Sequence, residues 1–313
     1  MEILLLSSSF LLAIFYLIIC KRFFEKNGMV VKINKRSSHH QVATNSGGTS
    51  LFFTLFTIST IFYLFGIELF EYKYLVPISL ITFIGLYDDV NQLNFKLKFI
   101  FQIICAKIIV DTGLIIENLH GFLGVYEISS LIAQLLSIFI IVSILNAVNF
   151  IDGIDGLASS LFILFLISFE FFSSNYFYFD YLTIILISGI IPILILNFKR
   201  DKKVFLGDSG SLMIGSIISI YVLSILSNEY IINQAYDMNK ILFVLIILFY
   251  PIIDLVRIFL IRVLNGKSPF LPDRNHLHHK ILDNFKSHGI TTLIIIVASL
   301  LIIILSQLIN NFI

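Results

Sequence analysis

The stretch Leu145-Asn-Ala-Val-Asn-Phe-Ile-Asp-Gly-Ile-Asp-Gly-Leu-Ala158 closes a long apolar run that begins at Ile128. It sets polar side chains at Asn146, Asn149, Asp152 and Asp155, each three residues from the last. On a helical turn that spacing keeps neighbours on roughly one face. Two carboxylates and two carboxamides are therefore expected to share a space where a hydrophobic span ends. Ionisable groups at membrane depth are costly and mark functional sites. A solvated loop broken by Gly153 and Gly156 would not need such regular spacing.

Four further clusters have the composition of a site. Gly85-Leu-Tyr-Asp-Asp-Val-Asn91 ends another apolar run with the adjacent acids Asp88 and Asp89. Paired carboxylates suit Mg²⁺, an oxygen-seeking ion that bridges protein acids to phosphates, and their mutual repulsion can leave one as a base. Val204-Phe-Leu-Gly-Asp-Ser-Gly-Ser-Leu-Met-Ile-Gly215 follows Lys203 and leads into an apolar helix. Exposed amides at such a start favour an anion, Asp208 could hold a metal, and Ser209 and Ser211 supply hydroxyls. A plain helix cap at Asp208 or Ser209 would explain one residue of that run but not the rest. Gly266-Lys-Ser-Pro-Phe-Leu-Pro-Asp-Arg-Asn-His-Leu-His-His279 combines His276, His278 and His279 with Lys267 and Arg274. That is a cationic pocket suited to pyrophosphate; zinc is the other chemistry a His-rich tract offers, but no cysteine accompanies it. Lys35-Arg-Ser-Ser-His-His-Gln-Val-Ala-Thr-Asn-Ser-Gly-Gly48 adds His39 and two glycines that permit close backbone approach.

The elements that must position these clusters are membrane helices. The 313 residues are 58% hydrophobic and 13% charged, with a mean hydropathy of +0.97. A soluble domain of this length could not hide so much apolar surface. About ten spans can be drawn, at 3–20, 48–67, 74–87, 97–116, 128–147, 157–173, 181–197, 211–227, 240–261 and 291–310. The expected fold is a single all-α domain over 1–313, a polytopic membrane helical bundle. The first span lacks a basic leader and small residues before Cys20, so it reads as a retained anchor and not a signal peptide. Cys20 and Cys105 sit in apolar runs without metal-ligand spacing. The net charge of +1, with no basic patch interleaved with aromatics, gives no reason to expect nucleic acid as a partner.

All of the 21 Lys and Arg except Lys73, Lys107 and Lys240 fall on the connections after spans one, three, seven and nine. Glu68, Glu71, Glu117, Glu127, Asp180, Glu229 and Asp237 fall on the opposite set. The positive-inside rule then predicts a cytoplasmic face for the basic set and both termini outside. Every polar cluster described above lands on that face. Asp254, inside span nine and one turn before Arg257, is expected to pair with it.

The order of these segments resembles the polyprenyl-phosphate N-acetylhexosamine-1-phosphate transferase family, of glycosyltransferase family 4 type. The matching pieces are Arg36-Ser-Ser-His39 with Gly47-Gly48, Asp88-Asp89, Asn146-x-x-Asn149-x-x-Asp152-Gly-x-Asp155-Gly-Leu-Ala, Phe205-Leu-Gly-Asp-Ser-Gly-Ser211, and Ser268-Pro-Phe-x-x-Asp273-Arg-x-His276-x-His-His279. The resemblance implies a bundle of ten or eleven membrane helices with a cytoplasmic active site. It implies transfer of a sugar-1-phosphate from a UDP-N-acetylhexosamine to undecaprenyl phosphate, with release of UMP, in the inner membrane of a bacterium. It also implies Mg²⁺ as cofactor, with Mn²⁺ as a substitute. Asp208 would be the chief metal ligand with Asp88 and Asp89 beside it. Asp152 and Asp155 would hold metal or the uridine diphosphate, with Asn149 nearby, and His276, His278 and His279 would contact the phosphates. The His-x-His-His form resembles the branch that starts O-antigen, teichoic acid or capsule lipids from UDP-N-acetylglucosamine or a related sugar. The alternative branch, phospho-N-acetylmuramoyl-pentapeptide transfer for peptidoglycan, shows three adjacent histidines there. Two positions depart from the pattern: Ala43, Thr44 and Asn45 stand where a proline is usual, and Asn91 stands where a third acid often follows Asp88-Asp89.

The expected chemistry is attack by a polyprenyl phosphate oxygen on the β-phosphorus of the sugar nucleotide. Asp88 takes a proton from the attacking phosphate or orients it, and a covalent aspartyl-phosphate route is the alternative. Asp88, Asp89, Asp152 and Asp155 are the candidate catalytic acids. Asn146, Asn149, Lys203, Ser211, Lys267, Arg274, His39 and the three loop histidines are candidate substrate contacts. A second copy of the chain is a candidate partner. The rival from another class is an ion-coupled transporter, which would place charges in mid-span and show an internal repeat. A CDP-alcohol phosphotransferase is the other enzyme considered, but the residues expected after Asp152-Gly153 and a later acid pair are missing.

Overall fold

The computed structural model describes residues 1–31, 43–174, 179–199, 201, 203–227, 230–236, 238–266 and 275–310. Twelve α-helices follow in order: α1 (Glu2–Lys26), α2 (Gly47–Leu64), α3 (Leu75–Asn91), α4 (Phe95–Asp111), α5 (Ser130–Ile151), α6 (Leu157–Phe172), α7 (Asp180–Asn197), α8 (Gly207–Leu226), α9 (Lys240–Ile247), α10 (Phe249–Leu264), α11 (Leu277–Phe285) and α12 (His288–Asn310). No β-strand forms among the described residues, only isolated bridges such as Thr44 with Val204.

Each of the ten apolar runs is helical, and α11 is an additional short helix in the connection before the last of them. Among the described residues six helices are long and apolar enough to cross a membrane: α1, α2, α5, α7, α8 and α12. The run drawn as one span over 240–261 is instead broken into α9 and α10, which meet at 82°. Proline has no N–H and its ring collides with the carbonyl four residues back. Pro251 therefore cannot continue the helix from Ile247, and it lies in the first turn of a new one.

Helix α8 is the axis of the bundle. Its whole membrane-length window is buried, against 28% for α1 and for α12, which lie at the rim. Helices α2, α3, α5, α6 and α9 pack on α8. With no water to expel between lipid-embedded helices, close packing and small residues set such contacts. Gly48 of α2 meets Gly210 of α8 so closely that a Cβ there would lie 2.0 Å from the Gly210 nitrogen. A Cβ on Gly85 of α3 would lie 2.5 Å from the Asp208 carbonyl oxygen. The first turn of α8 is thus wedged between two neighbouring backbones.

The chain ahead of α8 also finishes α2. The amides of Gly47 and Gly48 donate to the carbonyls of Phe205 and Leu206 at 3.0 and 2.8 Å, which satisfies two of the amides a helix start leaves open. Deeper in the bundle, Gln102 of α4 and Asn146 of α5 exchange amide hydrogen bonds at 2.8 and 3.4 Å. At the far end, Thr183 of α7 bonds to Glu170 of α6 and to Tyr221 of α8. The start of α8 therefore sits at one end of the bundle with the ends of α3, α5 and α7 and the starts of α2, α4 and α12.

The Gly85 contact gives a direct test. Gly85→Ala must push α3 off α8, at a cost of about 1–3 kcal/mol, and lower the melting midpoint of the detergent-solubilised protein. Gly289→Ala, whose added Cβ would meet nothing nearer than 4.0 Å, leaves the midpoint unchanged.

Candidate active site

The site is built on the first turn of α8, and what holds that turn is Asp89. One carboxylate oxygen accepts the Asp208 amide at 2.8 Å and the other accepts the Ser209 amide at 3.0 Å. The Asn45 side-chain amide donates to the first of these oxygens at 2.7 Å. Gly207 has φ +75°, and an added Cβ would strike Asn45 and both Asp89 oxygens within 2.9 Å. Only glycine fits that turn. Asp89, expected as a catalytic and metal-binding acid, has its oxygens committed to the α8 backbone. It fixes where Asp208 projects. The cap of α8 comes from another helix and not from Asp208 or Ser209.

Asp88, one residue earlier on α3, faces a different way. One of its oxygens accepts the Leu93 amide at 2.6 Å, and the other lies 2.8 Å from the Lys98 ammonium at the start of α4. The same ammonium is 3.2 Å from the Asp208 carboxylate, so Lys98 bridges the two acids. The other Asp208 oxygen accepts the Asn149 side-chain amide, which also donates to the Ser211 hydroxyl at 2.9 Å. Asn149, Ser211, Asp208, Asp88 and Lys98 thus form one connected set drawn from four helices. Asn146 does not join it; its amide pairs with Gln102 one turn deeper in the membrane.

Asp152 lies just past the end of α5. Burial pushes its carboxyl well up, and the charges of Asp208, Asp89 and Asp155 push it the same way. Around this point stand the carboxylates of Asp88, Asp89, Asp152, Asp155 and Asp208, answered by two ammonium groups, Lys98 and Lys203. Acids in such excess over cations fit a divalent ion that takes oxygen ligands. Asp208, Asp152 and Asp88 could hold Mg²⁺, since none of them is tied to the α8 backbone as Asp89 is, nor to Lys203 as Asp155 is.

Asp155 and Lys203 pair with each other. Lys203 donates to the Asp155 carboxylate, and His288 at the start of α12 has Nδ1 at 3.1 Å from both the Asp155 amide nitrogen and its carboxylate. The Thr292 hydroxyl donates to the Asp155 carbonyl at 2.8 Å, and Asn197 at the end of α7 receives the Gly156 amide. The turn after α5 is stapled from three sides, with Asp155 and Lys203 engaged by each other and by His288. Burial alone would raise the Asp155 carboxyl; the hydrogen bonds and charges of His288 and Lys203 outweigh it and hold the group below its ordinary range.

The histidine loop reaches the same turn from above. His276 Nδ1 is 2.6 Å from an Asp254 oxygen, and the other Asp254 oxygen accepts the Leu277 amide at 2.8 Å. Asp254 therefore binds the start of α11. The expected ion pair with Arg257 forms at 3.8 Å, and Arg257 also donates to the Asn275 carbonyl. His278 Nδ1 is 3.2 Å from the Tyr250 hydroxyl. Burial, with His279 beside it, pushes His278 down to about 3, so its ring is neutral. A Cβ on Gly153 would lie 3.4 Å from Nε2 of both His278 and His279. Ligand-capable atoms of Asp254, His276 and His278 lie within 4.8 Å of one another. The 2.6 Å contact is a hydrogen bond, and Arg257 stands 3.8 Å from the same carboxylate, so in this structure these groups form a hydrogen-bonded cluster. His39, Lys267 and Arg274 lie outside the described residues.

Lys98, Asn45, Asn197 and His288 were not singled out by sequence. Lys98 looked like a flanking charge, and the other three carried no spacing signal. The staple around Asp155 predicts a pH effect. A carboxyl held below its ordinary range stabilises the fold above that range and loses the contribution as pH falls through its folded value. Asp155→Asn therefore lowers the melting midpoint at neutral pH, and the gap to the unaltered protein closes as the solution is acidified. Thermal unfolding across that series reads it.

Residues 72–228, which hold Asp88, Asp152 and Asp208, match glycosyl transferase family 4. The chain is similar to an undecaprenyl-phosphate alpha-N-acetylglucosaminyl 1-phosphate transferase of Haemophilus influenzae, at 35% identity over 281 residues, covering 87% of this chain and 76% of the relative. It is 35% identical over 289 residues to the protein of that name from Pasteurella multocida, covering 88% and 77%. It is 31% identical over 239 residues to a decaprenyl-phosphate N-acetylglucosaminephosphotransferase of Mycobacterium leprae, covering 71% and 60%. The match takes in the acids gathered at the α8 turn and the helices that present them: this chain belongs to glycosyl transferase family 4.

Proposed function

We propose that this protein moves N-acetylglucosamine-1-phosphate from UDP-N-acetylglucosamine to undecaprenyl phosphate, releasing UMP and leaving a lipid pyrophosphoryl sugar. The observation that carries the reading is the convergence of Asp88, Asp152, Asp208, Asn149, Ser211 and Lys98 around one helix start at the end of an apolar bundle. The names of the relatives support the sugar and the acceptor, and they favour this branch over pentapeptide transfer. A transporter would want its charges in mid-span; here the acids gather at the end that carries most of the Lys and Arg. That end is assigned to the cytoplasm, with ten crossings of a bacterial inner membrane and both termini outside.

In the reaction an oxygen of the lipid phosphate attacks the β-phosphorus. The bond from that phosphorus to the bridging oxygen breaks, and its electron pair leaves with UMP. Phosphoryl transfer of this kind rests on alignment and charge neutralisation. A phosphate monoester loses its second proton at about pH 6, so the nucleophile is anionic at neutral pH without a base. Asp88 then serves by holding Lys98, whose ammonium receives an incoming phosphate. Asn149 orients the Asp208 carboxylate and the Ser211 hydroxyl. Neutral His278 and its neighbour His279 close over Gly153. Asp208 and Asp152 would hold Mg²⁺, which would supply positive charge to offset the diphosphate.

Purified protein in lipid, given UDP-N-acetylglucosamine, Mg²⁺ and undecaprenyl phosphate, releases UMP only when all three are present. Chelation stops it, and readdition of Mg²⁺ or Mn²⁺ restores it. Asp208→Asn and Lys98→Ala each lower kcat by roughly 10²–10³-fold. UMP release without the lipid, or no transfer from any of a panel of UDP-N-acetyl sugars, would overturn the reading.

A further inference from the structure

We infer that Asp254 is a positioning residue for this reaction, one that keeps a proton on Nδ1 of His276 so that Nε2 is the nitrogen the loop offers to a ligand. The inference rests on the proposed transfer only for the use made of that nitrogen; the tautomer itself follows from geometry. Asp254 lies in α10 one turn beyond the break from α9, is 1% exposed, and divides its two oxygens between two donors. One accepts the Leu277 amide at 2.8 Å, which ties down the start of α11. The other faces His276 Nδ1 at 2.6 Å. An ionised carboxylate only accepts, so the hydrogen of that short contact is on the ring. Nδ1 is protonated whether the imidazole is neutral or charged, and only Nε2 can gain or lose a proton.

The surroundings leave Nε2 as the working edge. The His276 ring is held between Phe150, at 5.5 Å, and His278, stacked at 5.2 Å and 18°. Phe150 belongs to the same turn of α5 as Asn149 and precedes Asp152 by two residues. Nε2 of His276 makes no hydrogen bond to a described residue and is not among the sealed, unpartnered polar atoms, whereas Nε2 of His278 is sealed. A carboxylate that fixes the tautomer of a working histidine is a known physical arrangement. Here it has been combined with a helix cap in one side chain.

The two tasks can be separated by Asp254→Asn. Asparagine keeps an oxygen for the Leu277 amide, so the tether to α11 survives. Its nitrogen can only donate, which turns His276 Nδ1 into an acceptor and moves the ring proton to Nε2. The primary measurement is ¹⁵N NMR of histidine-labelled protein in lipid, at a pH alkaline enough for the ring to be neutral. His276→Gln identifies the signal among the seven histidines. The unaltered protein shows Nδ1–H at His276, and Asp254→Asn shows Nε2–H with little change in melting midpoint. Transfer by that variant falls at least 10²-fold in kcat, with KM for the sugar nucleotide within a few-fold, and Asp254→Glu recovers part of the rate.

A neutral His276 carrying its proton on Nε2 in the unaltered protein overturns the inference, as does Asp254→Asn with full kcat. If the variant fails to fold, the spectrum of the unaltered protein still decides. If no sugar is transferred at all, the proposed reaction falls, and the tautomer is judged separately by NMR.

Discussion

A carboxylate from one membrane helix holds the first amides of another, and the site is assembled around that grip. Asp89 reaches from α3 to the Asp208 and Ser209 amides, with Asn45 donating as well. Hydrogen bonds to a charged group contribute about 1.5–3 kcal/mol each where a neutral pair gives about half as much, and the positive end of the α8 dipole adds to them. A carboxylate buried without such partners would be strongly unfavourable in this setting. Adjacent helical residues point about 100° apart, so while Asp89 faces α8, Asp88 must face elsewhere, and it meets Lys98. The Asp88-Asp89 pair is therefore divided, one acid on the α8 backbone and one on Lys98, separated by a single step of the helix.

Charge balance follows from that division. Lys98 is shared by Asp88 and Asp208, and Lys203 is bound to Asp155 along with His288. Neither lysine relieves Asp152, whose carboxyl is pushed up by burial and by its acidic neighbours. A site with surplus negative charge is a poor host for a diphosphate by itself. Under the proposed reaction, a divalent ion held by Asp208 and Asp152 would offset that charge and let an acidic chamber accept an anionic substrate.

Much of this was legible in the chain because apolar runs and helix-end polar residues are local signals. All ten runs are helical, one of them as two helices, and the acids at the ends of three of them meet. What was not legible was the destination of each side chain. Asn146, Asn149, Asp152 and Asp155 look like one face, but residues three apart drift by roughly 60° per step on a helix, and α5 ends at Ile151. The four therefore part company: Asn146 goes to Gln102, Asn149 to Asp208, Asp152 to the acidic centre and Asp155 to Lys203. Lys98 was hidden because a lysine at a helix start is already explained by membrane sidedness. The break between α9 and α10 was written at Pro251, yet mean hydropathy over 240–261 is blind to it.

The two acids that hold helix starts also explain how a site made of connections stays in register. Loops carry few apolar contacts of their own, so a ligand constellation built on them is imprecise unless rigid elements fix it. Here the α8 start is fixed by Asp89 and by the glycine contacts of α2 and α3, and the α11 start is fixed by Asp254. Both acids project from helices packed into the bundle, so their positions are set by the bundle and not by the loops they serve. The turn between them, Asp152 to Gly156, is pinned in turn by α7 and α12 through Asn197, His288 and Thr292. Each chemically useful group is thus one hydrogen bond away from the packed core. Distance along the chain is irrelevant to such an arrangement, and residues as far apart as Asn45 and His288 contribute to one chamber.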